Sequence, residues 1–199
     1  LSISSIFAKD STLKNYVAVF ADITQLKASQ QELEFLAHHD VLTGLPNRLM
    51  MLSRLDGVID TASRQQQSFA LMMLDLDKFK QVNDEAGHAV GDVLLQQAAE
   101  RIKLAVRSSD TVARFGGDEF VVLLEHIDDL STAHTVAEKV RLALNAPFSI
   151  ADAQFYVYPS IGISVFPGQG QDEKLLLLEA DRAMYQAKNA GGNQVCCQD

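Results

Sequence analysis

A continuous apolar run that ends in acid, Ser68 to Leu76 (SFALMMLDL), constrains this chain more than any other feature. A strand covered on both faces reads as an unbroken hydrophobic run, whereas a half-exposed strand alternates. The run therefore predicts a central strand with helices over it. The chain supplies them: Asn47 to Ala62 predicts a helix with Leu49, Leu52, Leu55 and Ile59 on one face. Gly91 to Val106 predicts another, with Leu94, Leu95, Ala98, Ile102 and Val106 inward. Ser131 to Leu144 and Glu173 to Asn189 also read as helices, and Lys78 to Glu85 as a short helical turn. Strands are predicted at Asp110 to Arg114, Glu119 to Glu125, Phe148 to Ile150, Phe155 to Tyr158 and Ile161 to Phe166, with a possible last one at Gln194 to Cys197. Gly116-Gly117 between the first two marks a β-hairpin. Alternating helices and strands with a hairpin in the middle predict an α+β fold, a mixed central β-sheet surrounded by helices, and not a doubly wound sheet.

Upstream, Leu1 to Phe7 and Tyr16 to Phe20 read as two short strands. Two strands cannot build a core, so this piece is either the tail of another domain or a disordered stub. Gln25 to His39 is free of Gly and Pro and can be capped by Asp22 or Thr24. Its stripe of Leu26, Leu33 and Leu36, with Ala37 beside it, is narrow. That suits a connecting helix or a short coiled-coil seam, or equally a surface helix resting on its own domain. The expected organisation is an N-terminal remnant over 1–24, a linker helix over 25–39 and a main domain over 40–199.

Charge limits the partners. Lys and Arg number 17 against 26 Asp and Glu, a formal net charge of −9. So acidic a chain is a poor nucleic-acid binder, and an anionic substrate must be met by a few placed cations, a metal or backbone N–H groups. Cys196 and Cys197 are adjacent, lack metal-ligand spacing and read as ordinary cytosolic thiols at a frayed end. No apolar run approaches the length of a membrane span and no signal peptide is visible. The first residue is Leu, which predicts a piece of a longer protein whose parent can still be membrane-anchored.

Asp75 and Asp77 close the central strand, while Asp118 and Glu119 follow the Gly-Gly turn. A strand end and a hairpin tip that both carry acid can hold hard divalent cations such as Mg²⁺, which is commonly shared between carboxylates and substrate phosphates. Alternate residues of a strand share a face, so Asp75 and Asp77 point the same way; Asp118 and Glu119 point apart unless the turn twists them. Asp77 is either part of this group or merely solvated. Gly116 and Gly117 let the backbone come close to a ligand.

Gly116-Gly117-Asp118-Glu119-Phe120 is the literal GGDEF sequence, and from about Asp40 to Asn193 the chain resembles diguanylate cyclases. Asp40 to Arg48 (DVLTGLPNR) resembles that family's opening turn. Asp75-Leu76-Asp77-Lys78-Phe79-Lys80, Asn83-Asp84, Gly87-His88, Gly91-Asp92 and Leu95 resemble its next segment; Asp181, Ala183, Tyr185, Ala187 and Lys188 resemble its closing helix. The resemblance implies a fold like the palm of nucleotide cyclases and polymerases, and an enzyme that condenses two GTP into cyclic di-GMP as a homodimer with Mg²⁺ or Mn²⁺. It implies metal ligation by Asp75, the Leu76 carbonyl, Asp118 and Glu119, with Asp118 also the base for the 3′-hydroxyl. Asn83 and Asp92 would read guanine, His88 would position base or ribose, and Leu95 would line the base pocket. Lys78 and Phe79 would offer backbone N–H groups to phosphate, and Lys80 and Lys188 would neutralise phosphate charge. Arg107 and Asp110, an RxxD, resemble the family's inhibitory product site. Tyr16 to Thr24 resembles the exit of a PAS sensor domain. A bacterial cytoplasmic location is implied. The rival reading is a catalytically weak module that binds GTP or cyclic di-GMP and regulates an attached or partner domain, such as an EAL phosphodiesterase. One departure stands out: Gly191-Gly192-Asn193 replaces the usual Gly-Arg-Asn or Gly-Lys-Asn, which removes a phosphate-contacting cation and leaves Lys188 to act alone there.

Overall fold

A computed structural model of the chain describes residues 2–7, 13–19, 22–168 and 172–197. The chain divides into two units, one ending at Ala37 and the other beginning at His38. In the first, β1 (Ser2–Phe7) and β2 (Leu13–Val19) pair antiparallel. Helix α1 (Thr24–His38) follows, with the Thr24 N–H donating to Asp22 Oδ1 at 2.9 Å. The stripe residues Leu26 and Leu33 are exposed.

The second unit contains α2 (Arg48–Gln65), β3 (Ser68–Asp77), α3 (Phe79–Ala86), α4 (His88–Ala105), β4 (Thr111–Gly116), β5 (Glu119–Ile127), α5 (Leu130–Asn145), β6 (Phe148–Ile150), β7 (Ala153–Phe155), β8 (Tyr158–Phe166), α6 (Glu173–Asn189) and β9 (Val195–Cys197). Five strands form one sheet in the order β4-β5-β3-β8-β9. All its pairings are antiparallel except β8 with β9, so the sheet is mixed. The β6–β7 hairpin stands as a separate small ladder. No helix among the described residues is long and apolar enough to cross a membrane.

Strand β3 lies at the centre and is apolar on both faces because both faces are covered. Its even-numbered residues Ala70, Met72, Leu74 and Leu76 pack in one core with residues of α3, α4 and α5. Its odd-numbered residues Phe69, Leu71 and Met73 pack in a second core with residues of α2 and α6. Asp75 and Asp77 continue the odd series, so they fall on the α6 side. Glycine decides how closely α6 approaches. A Cβ at Gly162 of β8 would run into the backbone of Ala180 and Met184, so α6 rests directly on the strand. Ser164 Oγ donates to the Leu176 carbonyl at 2.8 Å and anchors the same helix one turn earlier.

Several sequence expectations need correction. Phe155 to Tyr158 is not one strand: Phe155 ends the small hairpin opposite Phe148, whereas Tyr158 opens β8 opposite Asp77. The two ends serve different ladders, and the chain must cross between them. Helix α2 buries Met51, Leu55 and Ala62, with Val58 and Ile59 packed alongside, while Leu49 is exposed. The consecutive apolar residues Leu49 to Leu52 left its inner face ambiguous. Helix α4 starts at His88, not Gly91. Gly87, at φ 88°, makes the break before it, and Gly91 sits inside the helix because Asn83 of α3 occupies the space of its missing side chain. Cys196 and Cys197 are free thiols within β9 and not a frayed end.

Candidate active site

The carboxylates come together through strand register. Asp75 of β3 lies directly opposite Glu119 of β5 and, on its other side, opposite Ser160 of β8. Residues opposite one another share a sheet face, so Asp75 and Glu119 confront each other as like charges, an arrangement that costs free energy unless a cation intervenes. The turn brings Asp118 into the group. Gly116 and Gly117 both take positive φ, 148° and 54°, and the register slips between Arg114 and Gly116. The Leu76 N–H donates to the Asp118 carbonyl at 3.3 Å. In an antiparallel strand a residue's N–H and C=O face the same edge, so the Leu76 carbonyl also faces the hairpin tip, just beyond the last paired position, Asp75↔Glu119.

Arg114 fixes that tip. Its Nη1 donates to both carboxylate oxygens of Asp40 at 3.0 Å, while Nε and Nη2 donate to the Gly117 carbonyl at 3.0 and 2.7 Å. Its own N–H donates to the Pro46 carbonyl. Asp40 additionally accepts from the Thr43 N–H and hydroxyl at 2.9 and 2.6 Å. Burial pushes the Asp40 carboxyl up, but these Thr43 bonds and the Arg114 charge outweigh it and hold the group below its ordinary range. A planar guanidinium engaging a carboxylate and a carbonyl at once gives a geometric lock that Lys could not reproduce.

A cleft of about 620 Å³ opens beside the acids. It is lined by Asp75, Leu76, Asp77, Lys78, Phe79, Lys80, Asp118, Tyr158, Lys188 and residues 191–193. Lys78 takes a left-handed conformation (φ 63°) as the N-cap of α3 and makes no side-chain cap bond, so it leaves the first-turn N–H groups uncovered by its own side chain. Lys188 Nζ reaches Asp75 Oδ2 at 2.7 Å. Burial raises the Asp75 carboxyl; the Lys188 bond opposes it, while Asp118 and Asp77 add to it, leaving the group above its ordinary value. Glu119 is likewise raised, first by burial, then by Asp75, Asp118 and Asp181, against Lys188. Crowded oxygen donors whose negative charge is penalised are suited to a hard divalent cation. Among the described residues no three His, Cys, Asp or Glu side chains are gathered closely enough to enclose an ion by themselves. The donors present, carboxylates and the Leu76 carbonyl, are oxygens of the kind a hard divalent cation takes.

Asp77 is tied into the structure. Ser160 Oγ donates to both its oxygens at 2.8 and 3.0 Å, and the Asn193 N–H donates to Oδ2 at 2.9 Å. Arg141 of α5 in turn holds Asn193 Oδ1 at 3.0 Å. Thus the 191–193 loop is pinned to the strand end through Asp77. The sequence motifs give no role to Arg114, Asp40, Ser160 or Asn193. Asp40 and Arg114 flank recognisable motifs, but their pairing across 74 positions leaves no local signal.

Seven expected residues line this cleft: Asp75, Leu76, Lys78, Phe79, Lys80, Asp118 and Lys188. Glu119 joins them through its register opposite Asp75. Asn83, His88, Asp92 and Leu95 lie on the packed α3–α4 pair, outside the cleft lining: His88 and Asp92 exposed, Asn83 half-buried against Gly91, and Leu95 in the core. Arg107 and Asp110 form a separate turn, in which Asp110 Oδ2 accepts from the Arg107 N–H at 2.9 Å and the Asp110 N–H donates to the Arg107 carbonyl at 3.0 Å. They line a second cleft of about 490 Å³ with Arg54 and Lys103.

The model of the diguanylate cyclase GGDEF domain family matches residues 37–194, and the chain belongs to that family. It is 45% identical over 187 residues to the bifunctional diguanylate cyclase/cyclic di-GMP phosphodiesterase MucR of Pseudomonas aeruginosa, covering 94% of this chain and 27% of MucR. The chain thus spans about a quarter of that relative's length. The crystal structure of the GGDEF domain of TpbB (YfiN) from Pseudomonas aeruginosa superposes with a TM-score of 0.77 at 35% identity, covering 79% of this chain and 98% of that one. The coiled coil and GGDEF domain of DgcB from Caulobacter crescentus, in complex with c-di-GMP, gives 0.80 at 25% identity over 89% of this chain and 94% of that one. The mixed sheet with surrounding helices is the fold of these domains.

Proposed function

We propose that this domain is a diguanylate cyclase that condenses two GTP molecules into cyclic di-GMP with release of two pyrophosphates. The observation that carries the reading is the buried Asp75 facing Glu119 across the β3–β5 pair, in a cleft that is also lined by Lys78, Lys80 and Lys188 and by the start of α3, whose N-cap makes no side-chain bond. Asp75, Glu119, Asp118 and the Leu76 carbonyl would hold Mg²⁺ or Mn²⁺. Bound there, such an ion would supply charge stabilisation at the reacting phosphorus and acidify an attacking hydroxyl. The chain's own groups do the rest. Asp118 takes the proton of the 3′-hydroxyl as its oxygen bonds to the α-phosphorus of the opposing GTP, and the bond to the β-phosphate oxygen breaks. Lys78 and Phe79 meet phosphate through their N–H groups; Lys80 and Lys188 offset the charge that develops on the leaving pyrophosphate. Gly116 and Gly117 allow close approach of the backbone.

Asn83 and Asp92 accept from or donate to the guanine edge, His88 positions base or ribose, and Leu95, one turn beyond Asp92, is the apolar wall behind them. A site built to bond guanine rejects adenine because its polar groups would be left unpaired. Since one site holds one GTP, two domains must face each other. The 1–24 segment is read as the end of a PAS-like sensor, the 25–39 helix as the element that joins two chains, and 40–199 as the cyclase. The turn of Arg107 and Asp110, in its cation-rich cleft, is read as the site where cyclic di-GMP inhibits.

Incubation with GTP and Mg²⁺ followed by chromatography for cyclic di-GMP tests the reading, with Asp75→Ala as the control. No product from wild type under conditions where the protein is folded would sink it. The relative MucR is a bifunctional cyclase and phosphodiesterase, which supports an attached phosphodiesterase; the second reading, a weak module that regulates such a domain, predicts nucleotide binding without product.

A further inference from the structure

Lys188 has a task besides meeting phosphate. Its ammonium sits on Asp75, 2.7 Å from Oδ2, in the position where the proposed chemistry needs a metal ion. Asp75 is only 7% exposed and stands opposite Glu119. A carboxylate so placed is costly to bury without a positive partner. The backbone that carries Lys188 is fixed, because α6 rests on Gly162 and is anchored through Ser164. The side chain is not fixed: it is 34% exposed, with a flexible four-carbon stem and a compact charge. It can therefore leave Asp75 with no movement of the helix, and the cleft it would turn into is also lined by Lys78, Phe79 and Lys80.

We propose that Lys188 is an exchangeable counter-ion: it neutralises Asp75 until a divalent cation binds there, then gives Asp75 up and turns its ammonium to the phosphates of the nucleotide. The proposal rests on the reading of Asp75 as a metal ligand. It has a consequence for order. The cation must compete with Lys188 for Asp75, and a bound triphosphate gives Lys188 a second partner, so each favours binding of the other by linkage. The site is thereby kept closed to metal alone and opened by metal and nucleotide together. Gly192, which carries no charge at the neighbouring loop, leaves this exchange to one lysine.

The test is Mn²⁺ binding to the full chain without nucleotide, followed by titration calorimetry, together with thermal melting. Lys188→Met keeps the length and volume of the stem, so α6 packs as before. Lys80→Met removes the same charge from the same cleft, and among the described residues no ion pair joins Lys80 to Asp75. Lys188→Met is expected to bind Mn²⁺ about tenfold more tightly than wild type, the equivalent of about 1.4 kcal/mol. Lys80→Met is expected to change affinity far less. Without metal Lys188→Met should melt below wild type, and saturating Mn²⁺ should close that gap, which a merely structural lysine would not show. Equal Mn²⁺ affinities for Lys188→Met and Lys80→Met, with Asp75→Asn weakened, would overturn the exchange and leave the metal reading standing. An Asp75→Asn variant that binds Mn²⁺ as wild type does would overturn the metal reading, and the exchange with it.

Discussion

Position 192 offers the sharpest test of the site geometry. From sequence, Gly192 is a missing cation, and an arginine there is expected to lower the KM for GTP through one contact worth about 1 kcal/mol, unless glycine is required there for positive φ and the variant loses stability. The structure supports the second outcome. Gly192 takes φ +73°, where a β-carbon costs about 1–2 kcal/mol. A Cβ would also lie 2.5 Å from Asp77 Oδ2 and 3.1 Å from Asp77 Cγ. The carboxylate cannot simply step aside, since Ser160 Oγ and the Asn193 N–H both hold it. Loss of one such bond at a half-exposed carboxylate adds about 1 kcal/mol. Gly192→Arg should therefore destabilise the domain by about 2–3 kcal/mol, a fall in Tm of roughly 4–12 °C for a domain of this size. Gly192→Ala carries the same Cβ and should lose as much, which separates the clash from any effect of charge. Differential scanning calorimetry of both variants, with GTP kinetics on whichever remains folded, is the assay. An arginine variant that melts as wild type does and binds GTP more tightly would refute the argument and restore the missing-cation view.

Asp75→Ala and Glu119→Gln should each abolish cyclic di-GMP synthesis while circular dichroism shows an intact fold, since loss of one ligand from a shared ion costs several kcal/mol in the transition state. Substantial turnover at saturating Mg²⁺ would remove these acids from the metal site. Arg107→Ala should weaken cyclic di-GMP binding by about 1.5–3 kcal/mol in calorimetry, the worth of a charge-assisted bond, and relieve product inhibition; unchanged affinity would reduce the turn to a surface feature. Arg114→Ala removes the four bonds that join Asp40 to the Gly117 carbonyl, leaves Asp40 without its cation, and should cost about 3 kcal/mol of stability, close to the penalty for breaking a buried pair, with reduced turnover in the folded fraction. Asp40 also carries a pH signature. Its folded-state pKa lies below the ordinary 3.8, so its stabilisation is complete above that value and is lost as pH falls through the lowered folded pKa. Acid unfolding of Asp40→Asn should accordingly show a shallower loss of stability below about pH 4 than wild type; identical acid limbs would contradict the assignment.

Much of this molecule was legible along the chain. The apolar run Ser68 to Leu76 announced a strand buried on both faces because only such a strand needs no alternation, and period two placed Asp75 and Asp77 on one side before any partner was known. The Gly-Gly turn and the acids after it marked the tip because local turn chemistry is written locally. What the chain could not show is which distant residues register and packing would bring together. Nothing in the sequence places Glu119 opposite Asp75, or sets Lys188 on that carboxylate, since both depend on strand pairing and on how closely α6 can rest on Gly162. The Asp40–Arg114 lock spans 74 positions and depends on two turns meeting. Gly192 is the clearest division: its sequence reports an absent charge, while its backbone conformation and the fixed carboxylate of Asp77 make glycine the residue that fits. Local propensity and periodicity act over a few residues and can be read directly; contacts between remote segments exist only once the whole core has closed around β3.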